Sequence, residues 1–438
     1  MATKNNTEVI VIGAGVSGLT AAAELHRQGI DVIVLEASSR VGGRVTSVET
    51  KLGSQVDLGG QWIGKGHHRV SALIENAGGK IYKSYTRGLP NIVRDGRAMS
   101  TFSPSVIVAI FYLILMELTF LIHVPKSWIS LTMNKAIETM VPLQVSRQIL
   151  RLLVEVVVTA ELDSYSLYSF AKSVRLSGGL STMMGIEGGA QDSLAVESMA
   201  FIPKTLAKEL GQNILTDTSV TQVSQKVTEI TVKTASGQEF HAKKVIITVP
   251  PPMQKSISFS PPLPAERQAL QKNTRMGLVY KALAIFDKPF WRDGVGAEFL
   301  VLDDPACCVF DSTSPGGPGH LCFLVTGTPA RKFDGLDVNE RQDLLLSRLV
   351  PYIGQQVLKP VDWHDKSWHL DEHCGGGYLA FPVVGTSEGI LPMPHEPVRD
   401  LHWAGTETAE EHPGYVEGAV QSGERVANEV IAALKRAT

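Results

Sequence analysis

The feature that most constrains the fold is the opening stretch EVIVIGAGVSGLTAAAELHRQGIDVIVLEA. It reads as a short apolar strand at 9–12, a glycine turn, a helix over 19–27 and a second apolar strand that Glu36 ends. A strand, a turn, a helix and another strand in this order are typical of a parallel sheet covered by helices. The stretch therefore predicts an α/β fold with a Rossmann-like domain.

The glycine turn fits the G-x-G-x-x-G pattern in the place where that pattern binds a dinucleotide. Its first glycine makes the turn, its second lets the backbone approach a pyrophosphate at the helix N-terminus, and its third allows close helix–strand packing. Glu36 is placed to accept hydrogen bonds from ribose hydroxyls. The predicted cofactor contacts here are Gly13, Ala14, Gly15, Ser17, Gly18, Glu36 and Ala37.

Length and composition set the class of protein. The 438 residues suggest two or three domains, and 44% hydrophobic with 19% charged residues indicate an ordinary globular chain. A net charge of −3 argues against nucleic acid as a partner. Four cysteines without a C-x-x-C pair, and an N-terminus without an apolar signal region, predict a cytoplasmic setting.

An apolar run of 17 residues, VIVAIFYLILMELTFLI at 106–122, contains one acid, Glu117. A membrane-spanning helix needs roughly 20 such residues. A crossing here would also separate the first domain from later segments that complete it. Three interpretations stay open: a buried helix, a subunit interface in a homodimer, or a helix that dips into one leaflet and gives peripheral membrane association. We expect burial or an interface rather than membrane contact.

Two later segments are also readable. Residues 213–249 predict a β-meander with a Ser236-Gly237 turn and a final buried strand at 245–249, and the last forty residues predict a strand, a loop and a closing helix. In MGLVYKALAIF (276–286), alternation places Lys281 on an apolar face. From that stretch alone, Lys281 reads as a side chain whose stem covers apolar surface while its head reaches water.

Paired glycines follow the nucleotide fingerprint, in ASSRVGGRV and VDLGGQWIG, and they allow close approach to a flat or branched ligand. Together with VVTAELDSYSLYSF, EGGAQDS, PFWR and HWAGTETAEEHPGYVEGAVQSGER, they occur along nearly the whole chain in one order. This series resembles the FAD-dependent amine oxidase family, which includes the monoamine and polyamine oxidases.

The resemblance implies a discontinuous FAD-binding domain of the glutathione-reductase type at 1–80, 196–268 and 371–438. It also implies a substrate domain of mixed sheet and helices at 81–195 and 269–370. The same resemblance implies further cofactor contacts, which are Gly42, Gly43, Arg44, Gly59, Gly60, Gln61, Trp62, Val220, Trp368, Gly405, Thr406, Glu407, Gly414 and Val416.

The resemblance also gives Lys281 a role, because it stands eight residues before PFWR as the family's lysine does. There the lysine holds a water against flavin N5 and assists reaction with oxygen. Tyr378 and Tyr415 match the family's aromatic cage, and Trp368 matches a tryptophan packed by the flavin's dimethylbenzene ring. The positions that line the substrate cavity in relatives are Val156, Val157, Met183 and Met184.

The implied activity is oxidation of a primary or secondary amine to an imine, with hydride transfer to FAD N5 and reoxidation by oxygen to hydrogen peroxide. The apolar cavity positions favour an alkyl or aryl-alkyl amine, and GGQWIGKG lacks the arginine that amino-acid oxidases place there. Two alternatives stay open: an FAD-dependent desaturase or dehydrogenase of a lipid-like substrate at a membrane, and a non-catalytic flavin-binding scaffold.

Two departures from the family pattern affect the cofactor. Gly377 stands where animal monoamine oxidases tether the flavin through a cysteine, so we predict non-covalent FAD. AVESMAF at 195–201 replaces a glycine-rich turn on the phosphate side. In the histidine-rich 364–374, His369 and His373 are four apart, but the segment has no helical pattern and is expected to form a loop, so no metal site is predicted.

Overall fold

The computed structural model describes residues 5–87, 91–94, 96–100, 102–227, 229–293 and 299–437. The strands are β1 Asn6–Ile12, β2 Val32–Leu35, β3 Ser47–Glu49, β4 Gln55–Asp57, β5 Trp62–Ile63, β6 Ile81–Lys83, β7 Asn91–Arg94, β8 Arg97–Ala98, β9 Ser193–Ala195, β10 Ile214–Leu215, β11 Val220–Gln225, β12 Ile230–Thr234, β13 Glu239–Ile247, β14 Ser258–Ser260, β15 Thr274–Met276, β16 Val279–Phe286, β17 Phe299–Asp303, β18 Ala306–Asp311, β19 Gly319–Thr326, β20 Asp362–Ser367, β21 Ala380–Pro382 and β22 Leu401–Trp403. The α-helices are α1 Val16–Arg27, α2 His68–Asn76, α3 Pro104–Ile122, α4 Met133–Met140, α5 Gln144–Val158, α6 Leu167–Leu176, α7 Leu180–Met184, α8 Phe201–Leu210, α9 Ala265–Lys272, α10 Val338–Leu346, α11 Val350–Ile353 and α12 Val416–Ala437.

The first large sheet has the order β10-β2-β1-β13-β12-β11-β14, and β22 pairs with β13 beside this path. Strands β2, β1, β13 and β22 are parallel. Residues 9–12 and 32–35 of its central strands are all buried, as expected for a parallel sheet covered on both faces. Helix α1 packs against α12 and α8, so the C-terminal helix covers the first βαβ unit.

The opening stretch folds as predicted, with shifted boundaries. Helix α1 begins at Val16 rather than at 19, because Gly18 belongs to its first turn. The meander forms as β11, β12 and β13, but the last strand runs over Glu239–Ile247 and is continuous with the strand predicted at 245–249. The next residue, Thr248, donates its side-chain hydroxyl to the carbonyl groups of Ile12 and Gly13.

The second large sheet has the order β20-β16-β19-β18-β17-β7-β8. Strand β16 lies between β19 and β20, and all eight of its residues are buried. The alternation of residues therefore does not distinguish a solvent-exposed face from a buried face in β16, because both faces of the strand are covered. Lys281 is 2% exposed, so the interpretation that its head reaches water is wrong.

Helices α3 to α7 form a layer in which α3 packs on α5, α6 and α7. One face of α3 is buried through Val106, Ala109, Met116 and Phe120. Its other face is exposed and apolar, with Ile107, Ile114 and Leu118 each 53% exposed. The expected burial therefore holds for one face of α3 and is wrong for the other, on which the expected subunit interface stays a prediction. By length and composition, α3 is also a candidate for crossing a membrane.

Candidate active site

A large cavity collects most of the predicted site residues from distant parts of the chain. Its wall includes the predicted residues Gly13, Gly15, Ser17, Glu36, Ala37, Gly42, Gly43, Arg44, Gly59, Gly60, Gln61, Trp62, Val156, Val157, Met183, Met184, Val220, Lys281, Trp368, Tyr378, Gly405, Thr406, Gly414, Tyr415 and Val416. Ala14, Gly18 and Glu407 are outside this wall and bond to or pack against residues in it.

The glycine turn is shaped by close approaches that a side chain would block. Gly13 has φ +105°, and a Cβ there would lie 2.6 Å from Thr248 Oγ1. A Cβ on Gly18 would lie 2.0 Å from the carbonyl oxygen of Gly13. Among the described residues, no side chain caps the first turn of α1 at Gly15. The backbone N–H groups of that turn are thus available to an anion.

Glu36 holds the glycine turn and also lines the cavity. Its carboxylate accepts the Ala14 N–H at 2.6 Å and the Ser38 N–H at 2.8 Å. Each oxygen keeps a second lone pair, so the same carboxylate can accept hydrogen bonds from a ribose. The prediction from the end of the second strand therefore has a structural basis.

Arg44, which lines the cavity, forms an ion pair with Glu407, which is buried outside the cavity wall. Arg44 Nη1 donates to Glu407 Oε1 at 2.6 Å and Nη2 donates to Oε2 at 3.1 Å, while Nη1 also donates to the Tyr378 carbonyl at 2.8 Å. Burial raises the pKa of Glu407, but Arg44 outweighs it and the net pKa is lowered. Arg44 is thus a paired cation that also fixes the Tyr378 backbone through a hydrogen bond.

Lys281 reaches the cavity from the centre of the second sheet. Its ammonium nitrogen donates to the Gly59 carbonyl at 2.8 Å and to Gln61 Oε1, and it lies 5.6 Å from the Trp62 ring centroid. Burial lowers the pKa of Lys281, while Cys322 and Asp57 act in the opposite direction. Two of its donors are used by these acceptors, which leaves a third position on the nitrogen for a ligand or water.

Asp57 is a buried carboxylate that the sequence reading did not single out. Its Oδ2 accepts the Met199 N–H at 2.8 Å, and Oδ1 has no partner among the described residues. Burial raises the pKa of Asp57 to about 6, with Lys281 acting to lower it. The signal was available, since Asp57 directly precedes the Leu58-Gly59-Gly60 turn that meets Lys281.

Tyr378 and Tyr415 both line the cavity and are half-buried there. Burial raises the pKa of each phenol, so both stay neutral. His67 packs edge-on against Tyr415 with ring centroids 5.2 Å apart, and its Nδ1 accepts the Gly64 N–H at 2.9 Å. Burial lowers the pKa of His67 to about 3, so it supports Tyr415 as a neutral ring.

The remaining wall is apolar and comes from the helical layer. Helix α5 contributes Leu153 with Val156 and Val157, and α7 contributes Met183 and Met184. Phe310 and Leu324 complete this side from the second sheet and were missed, because strand residues of this type usually belong to the core.

The sequence profile of the family described as flavin containing amine oxidoreductase matches residues 16–112 and 134–431. The chain belongs to this family. An amine oxidase of Danio rerio, named as flavin-containing, is 31% identical over 99% of this chain and 87% of its own. A protein of Mycobacterium tuberculosis named as a flavin-containing monoamine oxidase is 32% identical over 98% of this chain and 97% of its own.

The solved structure of cyclohexylamine oxidase from Brevibacterium oxydans superposes with a TM-score of 0.93, at 25% identity over 98% of this chain and 99% of that chain. Putrescine oxidase has the same fold, with a TM-score of 0.88 at 24% identity over 98% of this chain and 99% of that chain. The fold is thus the mixed α/β fold of FAD-dependent amine oxidases, as predicted.

Membership in the flavin-containing amine oxidoreductases makes FAD the cofactor and flavin-dependent amine oxidation the activity. The site fits FAD, because uncapped N–H groups of α1, the Glu36 carboxylate and the glycine close approaches meet in one cavity. The family supports amine oxidation over a lipid dehydrogenase or a non-catalytic scaffold.

The unusual AVESMAF segment still makes a tight turn within this family fold. Ser198 adopts φ +73°, a left-handed conformation that usually favours glycine. The next residue, Met199, donates its N–H to Asp57. The turn at Ser198 is therefore formed without a glycine at this position.

Proposed function

We propose that the protein oxidises apolar monoamines, primary or secondary, to imines at the cavity between Lys281 and the apolar wall of α5 and α7. The observation that carries this is one buried ammonium and two neutral phenols in the wall of the same cavity that α5 and α7 line with apolar side chains. A polycationic amine would leave a second charge unpaired against valine and methionine side chains, which is costly.

The residues of the chain orient the amine and supply charge in this proposal. Tyr378 and Tyr415 present aromatic faces to the substrate nitrogen, and the apolar wall holds the carbon skeleton. FAD, when bound, takes a hydride equivalent from the α-carbon and later passes two electrons to oxygen, which gives hydrogen peroxide. The Lys281 ammonium favours negative charge that develops on oxygen beside it.

A peroxide-coupled screen with purified yellow protein tests this function. Benzylamine, hexylamine and an N-methylated analogue should release peroxide, and putrescine, spermidine and phenylalanine should release little. A preference for the polyamines would overturn the proposed substrate class, and anaerobic flavin that no amine bleaches would overturn the proposed activity.

We also propose that FAD is held without a covalent bond. Gly377 carries no side chain, and the nearby Cys374 thiol is 6% exposed with its pKa raised to about 12 by burial, so it stays protonated and poorly nucleophilic. Acid precipitation should give a colourless pellet and yellow supernatant. Flavin that stays in the pellet would contradict the proposal.

A further proposal concerns the exposed face of α3, which we assign to one leaflet of a membrane. Two polar side chains within 106–122 have partners in the fold: Glu117 accepts the Ser181 Oγ–H at 2.8 Å, and Thr119 Oγ1 donates to Leu115 O of its own helix at 2.7 Å. Exposed His123 and Lys126 follow the helix at the position where basic groups meet lipid headgroups. The helix packs on α5 to α7 along its length, which suits lying in the interface rather than crossing it.

Flotation with anionic liposomes tests this surface, with Ile114→Glu and Leu118→Glu against the exposed control Val338→Glu. The α3 variants should lose flotation and the control should keep it. A concentration-dependent dimer that the α3 variants abolish, without flotation of the parent protein, would instead assign the face to a second copy. This proposal replaces the burial or subunit interface expected from the sequence, and it combines a cytoplasmic location with peripheral membrane association.

The domain division is also a proposal. Strands of the first large sheet come from 6–35, 214–260 and 401–403, and those of the second come from 91–98 and 279–367. This alternation supports an FAD-binding domain at 1–80, 196–268 and 371–438 and a substrate domain at 81–195 and 269–370.

A further inference from the structure

Thr159, the residue after helix α5, is buried and unusually placed. Its backbone has φ +58° and ψ +17°, a left-handed conformation in which a β-branched residue is rare and glycine or asparagine is common. It is 1% exposed. A strained residue that persists in a buried position points to a use for its side chain.

The Thr159 hydroxyl bonds to the backbone that carries Tyr378. Oγ1 lies 2.7 Å from the Gly377 carbonyl oxygen and also 2.7 Å from the Val158 carbonyl oxygen, so its one hydrogen is shared between two acceptors, and the Tyr378 N–H donates to Oγ1 at 3.3 Å. The hydroxyl therefore contacts both the carbonyl and the N–H of the peptide link that precedes Tyr378. Glycine or asparagine would satisfy the backbone conformation but would lack this hydroxyl.

The two neighbouring peptide links are held as well. The Gly377 N–H donates to the Gly277 carbonyl at 3.1 Å, and Arg44 holds the Tyr378 carbonyl at 2.8 Å. A Cβ on Gly277 would lie 2.0 Å from Thr159 Oγ1, so the three segments are in close contact. The Leu278 N–H donates to the Thr159 carbonyl at 2.9 Å, which anchors Thr159 itself to the start of β16.

This arrangement connects two parts of the substrate cavity that are 219 positions apart in sequence. Thr159 ends the helix whose preceding turn carries Val156 and Val157 in the cavity wall. We propose that Thr159 is a positioning residue that fixes Tyr378 relative to this wall, and so sets the width of the slot in which the amine is held. The inference rests on the proposed role of Tyr378 in amine oxidation.

Two substitutions separate the hydroxyl from the backbone conformation. Thr159→Gly removes the hydroxyl and relieves the left-handed strain, so the fold should be retained. Thr159→Ser keeps the hydroxyl and is the matched control. Anaerobic mixing with an amine measures flavin reduction, and mixing the reduced enzyme with oxygen measures reoxidation.

Thr159→Gly should slow flavin reduction roughly 10- to 100-fold, since small misplacements of a positioning group have effects of this size. Reoxidation should stay within about twofold, because Lys281 is held by Gly59 and Gln61 and not by Thr159. In Thr159→Ser, the amine should reduce the flavin at close to the parent rate. Unchanged reduction in Thr159→Gly would overturn the proposal, and so would an equal loss of both half-reactions, which indicates only a damaged fold.

A crystal structure of Thr159→Gly holoenzyme supplies a readout that needs no activity. The proposal expects the Tyr378 ring to be displaced or to occupy more than one position, and an unmoved ring would refute it. If no amine reduces the parent enzyme, the proposed function fails, while this structural comparison still tests the positioning role.

Discussion

The two walls of the cavity are built in opposite ways. The cofactor wall consists of glycines at close approach, the Arg44–Glu407 ion pair and a lysine with two acceptors. The substrate wall consists of apolar side chains from α5 and α7 that only fill space. On the first wall, a Cβ added to a glycine would collide with neighbouring atoms, and removal of one charged group would leave its partner unpaired. On the second, a change of side chain alters volume alone, so specificity can vary while the cofactor site stays constant.

The largest expected effect is on the cofactor wall, at the buried ion pair. Glu407→Gln leaves Arg44 without its charge partner and should lower the free energy of unfolding by about 3 kcal/mol or more. The matched control is Glu209→Gln, which breaks the exposed Arg27–Glu209 pair and should cost less than about 1 kcal/mol. Chemical denaturation of both holoenzymes makes the measurement. Equal losses of unfolding free energy in the two variants would show that the Arg44–Glu407 pair contributes no more than the surface pair.

Lys281→Met should slow flavin reoxidation by oxygen roughly 100-fold, the size expected for loss of one positioned charge, and should leave amine-dependent reduction nearly unchanged. Lys288→Met, an exposed lysine just beyond β16, is the control. The parent rate should fall as pH rises through the lowered Lys281 pKa, because the ammonium form is lost, and the variant should not show this step. Stopped-flow mixing of the reduced enzyme with oxygen measures the rate of flavin reoxidation. A normal rate in Lys281→Met would show that the lysine has only a structural role.

Asp57→Asn should change the pH dependence of stability. The folded-state pKa of about 6 lies above the usual 3.8, so the carboxyl binds its proton more tightly when folded. That contribution is present below about pH 4 and is lost as pH rises through 6, an effect on the order of 2–3 kcal/mol. The asparagine still accepts a hydrogen bond from the Met199 N–H, but it does not ionise, so this pH-dependent contribution to stability is absent. Denaturation at pH 4 and pH 8 compares the two proteins, and parallel curves would refute the raised pKa.

The smallest effect belongs to the substrate wall. Val156→Phe should lower kcat/KM for benzylamine about tenfold relative to a short alkylamine, as expected for a change of pocket volume. FAD content and flavin reoxidation should be unchanged. Val338→Phe on the surface is the control. Loss of FAD in Val156→Phe would show that the two walls are not independent.

The residues of the cofactor wall could be proposed from the sequence because their constraints are local. The glycine turn, the strand end at Glu36 and the paired glycines each combine backbone geometry with residue type, and the structure brings them into one cavity. The burial of Lys281 could not be predicted from alternation, since it depends on β19 and β20 covering both sides of β16. The roles of Asp57 and Thr159 depend on contacts between segments more than 140 residues apart.

The first sheet is finished by the last part of the chain. Strand β22 joins β13, and α12 covers α1. Arg44 finds its carboxylate only in Glu407, which lies 363 positions later. A nascent polypeptide still on the ribosome therefore has the glycine turn and Arg44 early, but it lacks the Glu407 carboxylate that neutralises Arg44. Stable uptake of flavin should follow release of the finished protein, and truncation near residue 400 should abolish it.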